Sequence, residues 1–216
     1  PAAETLAKLI QEGVETELTE FPGCVKVRRG RPDTTDCYRE GRIRIQDIGS
    51  QTIVPLLELK TSHCFLDLCA APGNKTCQAL EGRGTSINAV AADCHRHRLS
   101  LMRQLATIPI DMVMLDGERT LPFRAHFDRI LLDAPCSGTG TLAHNPEIKW
   151  RLHPEDIVDL AQKQIRLLTQ ALDLLAPGGV LVYSTCSLEP EENSGVIETV
   201  LSSRADYRLG AHLTRV

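Results

Sequence analysis

Aromatic side chains make up only 4% of the 216 residues, so any core must be aliphatic. That suits a buried parallel sheet flanked by helices. No apolar run approaches the roughly 18 residues of a membrane span. No secretory leader is visible: the opening PAAETLAKLIQEG holds acids and no long apolar stretch. A start at Pro1 rather than Met reads as a fragment or a processed product. Positive charge is not in excess. A net charge of −4 counts mildly against nucleic acid, whose binders usually present a basic face. None of the eight cysteines forms a C-x-x-C pair, and several sit in or beside strand-like runs (Cys64, Cys69, Cys94, Cys136, Cys186). Reduced thiols in a cytoplasmic setting are therefore expected. The segment CHRH (94–97) lacks a second ligand pair at suitable spacing, so no metal is expected. A G-x-G-x-x-G fingerprint is absent, which disfavours a dinucleotide site. There is no internal repeat and no low-complexity segment.

From about residue 61 the pattern is strand, glycine turn, helix, repeated. CFLDLCA (64–70), SINAVAADC (86–94), IDMVMLDG (110–117), FDRILLDAPC (127–136) and GGVLVYSTCS (178–187) read as five strands. Their alternation with helices predicts an α/β fold with a mostly parallel, doubly wound sheet. The clearest helix starts at Pro154, with Glu155 and Asp156 in its first turn. Ile157, Leu160, Ile165, Leu168, Leu172 and Leu175 form its apolar stripe, with Gln164 polar and off pattern, and Pro177-Gly178-Gly179 is expected to stop it. Residues 1–55 read as a partial α+β appendage: a helix from Ala2 to Glu12, then strand candidates CVKVR (24–28) and RIRIQD (42–47). Residues 56–216 read as the main domain.

Ligands of an open parallel sheet bind beyond the carboxyl ends of its strands. Cys69, Ala70, Ala71, Pro72, Gly73, Asn74, Lys75 and Thr76 follow the first strand. Small residues there let a ligand approach the backbone, and a helix start offers N–H groups. Asp93 ends the second strand, where an acid can accept both hydroxyls of a ribose. Asp116 follows the third, Asp133 and Cys136 the fourth, and Thr185, Cys186 and Ser187 the fifth. Taken singly, such an Asp can cap the next helix and such a Cys can be a small hydrophobe. Three acids and two cysteines around one crevice fit a packing unit poorly. KVRRGR (26–31) and HRHR (95–98) are locally basic, as surface or as phosphate contacts.

FLDLCAAPGNKT, DAPCSGTGTLAHNPEIKW and YSTCSLEPEEN resemble three signature motifs of the Nol/Nop/Sun family of RNA cytosine-5 methyltransferases, nearest the bacterial Fmu/Sun ribosomal RNA branch. GRIRIQDIGSQ resembles the segment leading into that family's catalytic domain, and the resemblance covers about residues 40–200. Three departures stand out. Asn74 replaces a usual glycine, so the cofactor loop is expected to differ slightly. The glycine- and phenylalanine-rich closing hairpin and the helical N-terminal RNA-binding domain are not found.

The resemblance implies a Rossmann-like fold, S-adenosylmethionine as cofactor and RNA, ribosomal RNA first, as partner. A soluble cytoplasmic monomer is the expectation. It implies that Cys186 attacks carbon 6 of cytosine and that Cys136 assists release. Asp133 would hold the protonated ring nitrogen, and Lys75 would position the base or favour a thiolate. The loop Cys69, Ala70, Ala71, Pro72, Gly73, Asn74 and Lys75 would hold the cofactor with Asp93, Asp116 and Asp133. Arg98 would support that site, or be a surface charge. The rivals are a transfer RNA cytosine-5 methyltransferase, a DNA cytosine-5 methyltransferase attacking through Cys136, a non-catalytic RNA-binding protein of the same fold, and another Rossmann-like small-molecule enzyme.

Overall fold

A computed structural model describes residues 2–21, 23–82, 87–106 and 109–211. The strand start expected at Ser86 and residues 212–216 lie outside them. The chain divides into two compact units, Pro1–Gln51 and Thr52–Val216.

The first unit holds α1 (Ala2–Gln11), β1 (Glu15–Leu18), β2 (Val25–Arg29) and α2 (Asp36–Arg39). Leu9, Val14 and Cys37 form its small core, with Ile43 packed against them. The hairpin partner of β2 is β1, paired antiparallel. The expected strand RIRIQD is irregular backbone. Its two-residue alternation is not matched by a ladder: Ile43 joins the small core, while Ile45 faces solvent. The chain then passes through α3 (Ile48–Ile53) into the second unit.

That unit contains β3 (Cys64–Asp67), α4 (Asn74–Leu80), β4 (Asn88–Asp93), α5 (Arg96–Leu105), β5 (Asp111–Met114), β6 (Phe127–Asp133), α6 (Ile148–Arg151), α7 (Pro154–Asp173), β7 (Leu175–Ser184) and α8 (Ser194–Leu201). The five strands β3 to β7 form one sheet in the order β5-β4-β3-β6-β7, every described pairing parallel. This is the α/β doubly wound sheet that the alternation predicts. Successive side chains point to opposite faces. Leu66, Ile130 and Leu132 accordingly join Leu167, Leu168, Leu172 and Val196 in one core layer. Phe65, Leu131 and Val182 join Leu57, Ala79 and Leu80 in the other. Both faces are covered, so the strands read as mostly apolar runs.

The helix before the last strand is shorter than its stripe suggests. α7 ends at Asp173, and Leu175 already pairs with Phe127 as part of β7. Pro177-Gly178-Gly179 interrupts that strand rather than stopping the helix: the register moves from Phe127↔Leu175 to Arg129↔Val180. Gly178 takes a positive φ of 75° there, which glycine adopts at no steric cost. Leucines continue on both sides of Asp173, from Leu172 to Leu174 and Leu175, so the apolar period alone does not place the boundary. No described helix is long and apolar enough to cross a membrane.

Chain order reverses beside β3: β4 and β5 lie to one side, β6 and β7 to the other. The crevice outside the carboxyl ends of β3 and β6 is therefore where a ligand belongs. Leu131 lies on β6, next to the central strand β3, and is fully buried, whereas Val158 on α7 is 53% exposed. Leu131→Ala is expected to lower stability by about 2–5 kcal/mol. Val158→Ala should change it by no more than about 0.5 kcal/mol. Denaturant midpoints at fixed slope measure both.

Candidate active site

β6 and β7 end level with each other, Asp133 opposite Ser184. The loops that follow therefore start side by side, although fifty residues separate their cysteines in sequence. Cys136 Sγ and Cys186 Sγ lie 3.2 Å apart, and the backbone N–H of Cys186 donates to Cys136 Sγ at 3.3 Å. Two thiols this close share a proton unequally. The hydrogen bond from Cys136 brings the Cys186 thiol down to about 7, against the opposing effect of burial, with the Lys75 charge helping. The same contact, with burial and the Cys186 charge, drives Cys136 well above the ordinary thiol range. Of the two, Cys186 is therefore the thiol that gives up its proton first. Cys186 is also the exposed one, and Cys136 is half-buried.

Glycine lets the loops meet. The Gly140 N–H donates to Cys186 O at 2.9 Å, and a Cβ on Gly140 would sit 2.9 Å from that same oxygen. Gly138 has φ 77°, and a Cβ there would lie 3.1 Å from Ile148 Cδ1. A buried carboxylate locks the arrangement from behind. Glu192, fully buried, accepts from the Ser137 N–H at 2.9 Å and from the Ser137 hydroxyl. Gln164 Nε2 donates to Glu192 Oε1 and to Pro135 O, each at 2.9 Å. The off-pattern glutamine of the α7 stripe is therefore a strut between both cysteine loops and the helix. A charge this deep is tolerated only when hydrogen-bonded.

Asp133 ends β6 between two partners. Lys75 Nζ lies 2.6 Å from Oδ2, and Ser184 Oγ donates to Oδ1 at 2.7 Å. Lys75 comes from the first turn of α4, so the ion pair bridges the switch point between β3 and β6. Beneath it sits Asp67, at the end of β3 and 1% exposed. Its Oδ2 accepts from Thr76 Oγ1 at 2.6 Å, and its Oδ1 has no hydrogen-bond partner. Burial raises this carboxyl to about 7.

The loop after β3 is tied to Asp93. The Ala71 N–H donates to Asp93 Oδ2 at 3.3 Å, and Arg98 Nη1 lies 3.5 Å from the same oxygen. Arg98 also donates to Ala71 O, so it braces the loop rather than standing as a surface charge. The His95 N–H donates to Asp93 Oδ1 at 2.8 Å. Cys94 and His95 bring ligand-type atoms within 4.8 Å of the Asp93 carboxylate. Asp116 makes its hydrogen bonds inside its own turn, to the Glu118 N–H and Arg119 Nε. Its neighbour Leu115 is tethered to Asp93 O. Gly73 carries the left-handed backbone, φ 108°, and a Cβ there would come 2.7 Å from Met102 Cγ of α5. Asn74 is the first residue of α4, so the replaced glycine falls beside the strained position, not on it. Cys69 is pushed far up by burial, so it is a loop residue and no nucleophile. Asp93 and the unpartnered Asp67 oxygen are acceptors at one strand-end crevice. That chemistry fits a ligand carrying hydroxyl and ammonium donors. The KVRRGR run of the first unit is internally neutralised: Arg28 pairs with Glu17, Arg29 with Glu15 and Arg31 with Asp33.

Residues 54–215 match the family model for 16S rRNA methyltransferase RsmB/F. The chain belongs to the RsmB/F family. It is 32% identical over 213 residues to the probable ribosomal RNA small subunit methyltransferase B of Bacillus subtilis, covering 95% of this chain and 47% of the relative. Against the Klebsiella pneumoniae ribosomal RNA small subunit methyltransferase B the identity is 37%, over 96% of this chain and 50% of the relative. The structure of NSun6 from Pyrococcus horikoshii with SFG superimposes with a TM-score of 0.74 at 28% identity, over 83% of this chain and 48% of that one. The chain thus spans about half the length of the curated RsmB relatives it matches.

In this RsmB/F chain, sequence reading reaches the strand-end acids and thiols and misses what supports them: Asp67, Ser137, Gln164, Ser184 and Glu192. Two of these carry a visible signal, an acid inside the apolar run FLDL and a glutamine inside a leucine stripe. Two measurements test the electrostatics. Alkylation of Cys186 by iodoacetamide should rise with pH around a midpoint near 7. Cys136→Ala or Lys75→Met should move that midpoint up toward the ordinary thiol value of about 8.5, because each removes a cause of the lowering. Asp67 works in the opposite sense to an ion-paired acid. Its carboxyl binds a proton more tightly when folded, so its stability contribution is complete below the ordinary carboxylate range and is lost as pH rises through about 7. Asp67→Asn should flatten the decline in stability between about pH 4 and pH 7, measured by denaturant titration across pH.

Proposed function

We propose that this chain transfers a methyl group from S-adenosylmethionine to carbon 5 of a cytosine in RNA, with ribosomal RNA as substrate, through a covalent adduct on Cys186. The observation that carries the reading is the thiol pair: an exposed thiolate beside a protonated, more buried partner, with an ion-paired aspartate at the next strand end. Ribosomal RNA is supported by the names of the relatives. S-adenosylmethionine would be held by the Cys69–Lys75 loop, Asp93 and Asp116, with Asp67 as a buried acceptor, and would supply an electrophilic methyl group.

Carbon 5 of cytosine is a weak nucleophile until a thiolate adds to carbon 6. Cys186 forms that sulfur–carbon bond, and the double-bond electrons move to carbon 5. The ring nitrogen takes a proton from solvent as the addition proceeds, and Asp133, held by Lys75 and Ser184, accepts a hydrogen bond from that N–H and so favours the addition. Carbon 5 then bonds to the methyl group that S-adenosylmethionine would supply, and the electrons of the broken carbon–sulfur bond leave with S-adenosylhomocysteine. Once Cys186 is a thioether it carries no charge. The repulsion and hydrogen bond that kept Cys136 protonated are gone, so Cys136 gives up its own proton to solvent and, as a thiolate, takes the carbon 5 proton. The electrons of that C–H bond restore the ring double bond as the carbon 6–sulfur bond breaks, returning Cys186 as thiolate. A cytosine must leave its stack to reach the pair, which single-stranded RNA makes cheap. The reducing cytoplasm keeps both thiols available.

Each variant incubated with cytosine-containing RNA and S-adenosylmethionine should separate the roles on a denaturing gel. Cys136→Ala should accumulate a slow-migrating protein–RNA band, since attack and transfer proceed but release stalls. Cys186→Ala should form no band and lose activity by several orders of magnitude. A band from Cys186→Ala with none from Cys136→Ala would reverse the assignment and favour the mechanism in which Cys136 attacks.

A further inference from the structure

Trp150 is the chain's one tryptophan and is 85% exposed, more than any other large apolar side chain described. It stands on α6, a single turn between Lys149 and Arg151. Both cations are exposed, and neither has an ion-pair partner among the described residues. Elsewhere exposed arginines mostly face acids, as in the KVRRGR run. An unpaired cation on each side of a bare indole is therefore unusual for this surface.

α6 is fixed to the cysteine loop. The Thr141 N–H donates to Gly138 O at 2.8 Å, the Asn145 side chain donates to Thr141 Oγ1 at 3.0 Å, and the Ile148 N–H donates to Asn145 O at 3.2 Å. A groove of about 580 Å³ starts at Cys136 and Ser137, passes Ile148 and reaches Arg151. Lys163 and Arg166 line its far wall, but both pair with Glu118, and Asp156 and Asp159 outweigh the charge left over. Phosphate contact therefore falls to Lys149 and Arg151 at the α6 rim rather than to the groove floor. On a helical turn Trp150 lies on the opposite side from Ile148, so the indole faces outward, over the rim.

We propose that Lys149, Trp150 and Arg151 form a docking platform for single-stranded RNA: a base flanking the target cytosine stacks on Trp150, and the two cations hold its phosphates. The proposal rests on the RNA reading above. A π-face flanked by backbone-neutralising cations is the general chemistry of sequence-tolerant single-strand binding. A rigid arch running from this platform to Cys136 keeps the stacked base and the reacting thiols at a set spacing.

Because Trp150 is the only tryptophan, its emission reports on the platform directly. Titrating the chain with a short cytosine-containing single-stranded RNA should quench that emission in step with the fluorescence anisotropy of a labelled copy. Trp150→Ala should bind roughly 5- to 100-fold more weakly, and Trp150→Phe should recover most of the loss. Lys149→Ala and Arg151→Ala should each reduce the salt dependence of binding by about one unit of slope. Trp150 buries little, so the alanine variant should melt at the wild-type temperature. If the RNA binds while Trp150 emission stays unchanged and Trp150→Ala binds normally, the platform is wrong and the RNA reading stands. If the wild-type chain neither binds nor methylates RNA, the underlying reading fails and the platform with it. Quenching or a blue shift that grows with protein concentration, or that needs lipid vesicles, in the absence of RNA would assign the face to a second copy or a membrane and overturn the proposal.

Discussion

Everything at the candidate site depends on the parallel pairing of β6 with β7, in the register that sets Asp133 against Ser184. A two-residue slip would separate the ends of those strands by about 7 Å, enough to part the two sulfur atoms. The register is held by burial on both faces: Leu131 and Val182 point into one core layer, Leu132 and Leu181 into the other. A slip by one residue would exchange those faces and expose apolar side chains along the strand. The thiol contact is thus maintained by hydrophobic packing well away from it.

Charge at the site is arranged by depth. Lys75 and Asp133 form a partly buried pair that also receives the Ser184 hydroxyl. Glu192 lies deeper and survives as an acceptor because the Ser137 N–H, the Ser137 hydroxyl and Gln164 all donate to it. Asp67 lies as deep with one oxygen unmatched, and burial raises its carboxyl to about 7. Hydrogen-bond count therefore separates a positioning carboxylate from one left open to a ligand donor.

The five strands and the strand-end acids and cysteines were legible because each follows from local pattern: apolar runs, glycine turns and the rule that ligands gather at carboxyl ends; the order of the strands came only with the structure. Four features were not. The hairpin strand Glu15–Leu18 is too short to alternate, and RIRIQD alternates without a ladder to join. The α7–β7 boundary lies inside a continuous leucine pattern. The side chains of Gln164 and Glu192 act through partners at least 28 residues away, and no local period encodes such a contact. Of these, Gln164 left the clearest trace, since a buried polar residue in a helix stripe must have somewhere to bond.

Under the proposed mechanism, which cysteine attacks is set by the pair and by neither residue alone. An isolated thiol at either loop tip would titrate above neutrality, and burial would push it higher. Contact breaks the symmetry. Cys136 is the more buried of the two and receives the Cys186 N–H, yet it stays protonated because its proton is what stabilises Cys186. Cys186 faces solvent and Lys75, so charge placed there costs less and meets an incoming ring first. The division of labour under the proposed mechanism then reverses itself in each turnover. Consuming the Cys186 charge lowers the barrier to ionising Cys136, and regenerating it drives the proton back. A pair of this kind needs no third residue to switch between attack and release; it needs only a fixed distance, which the glycines at 138 and 140 and the buried Glu192 supply.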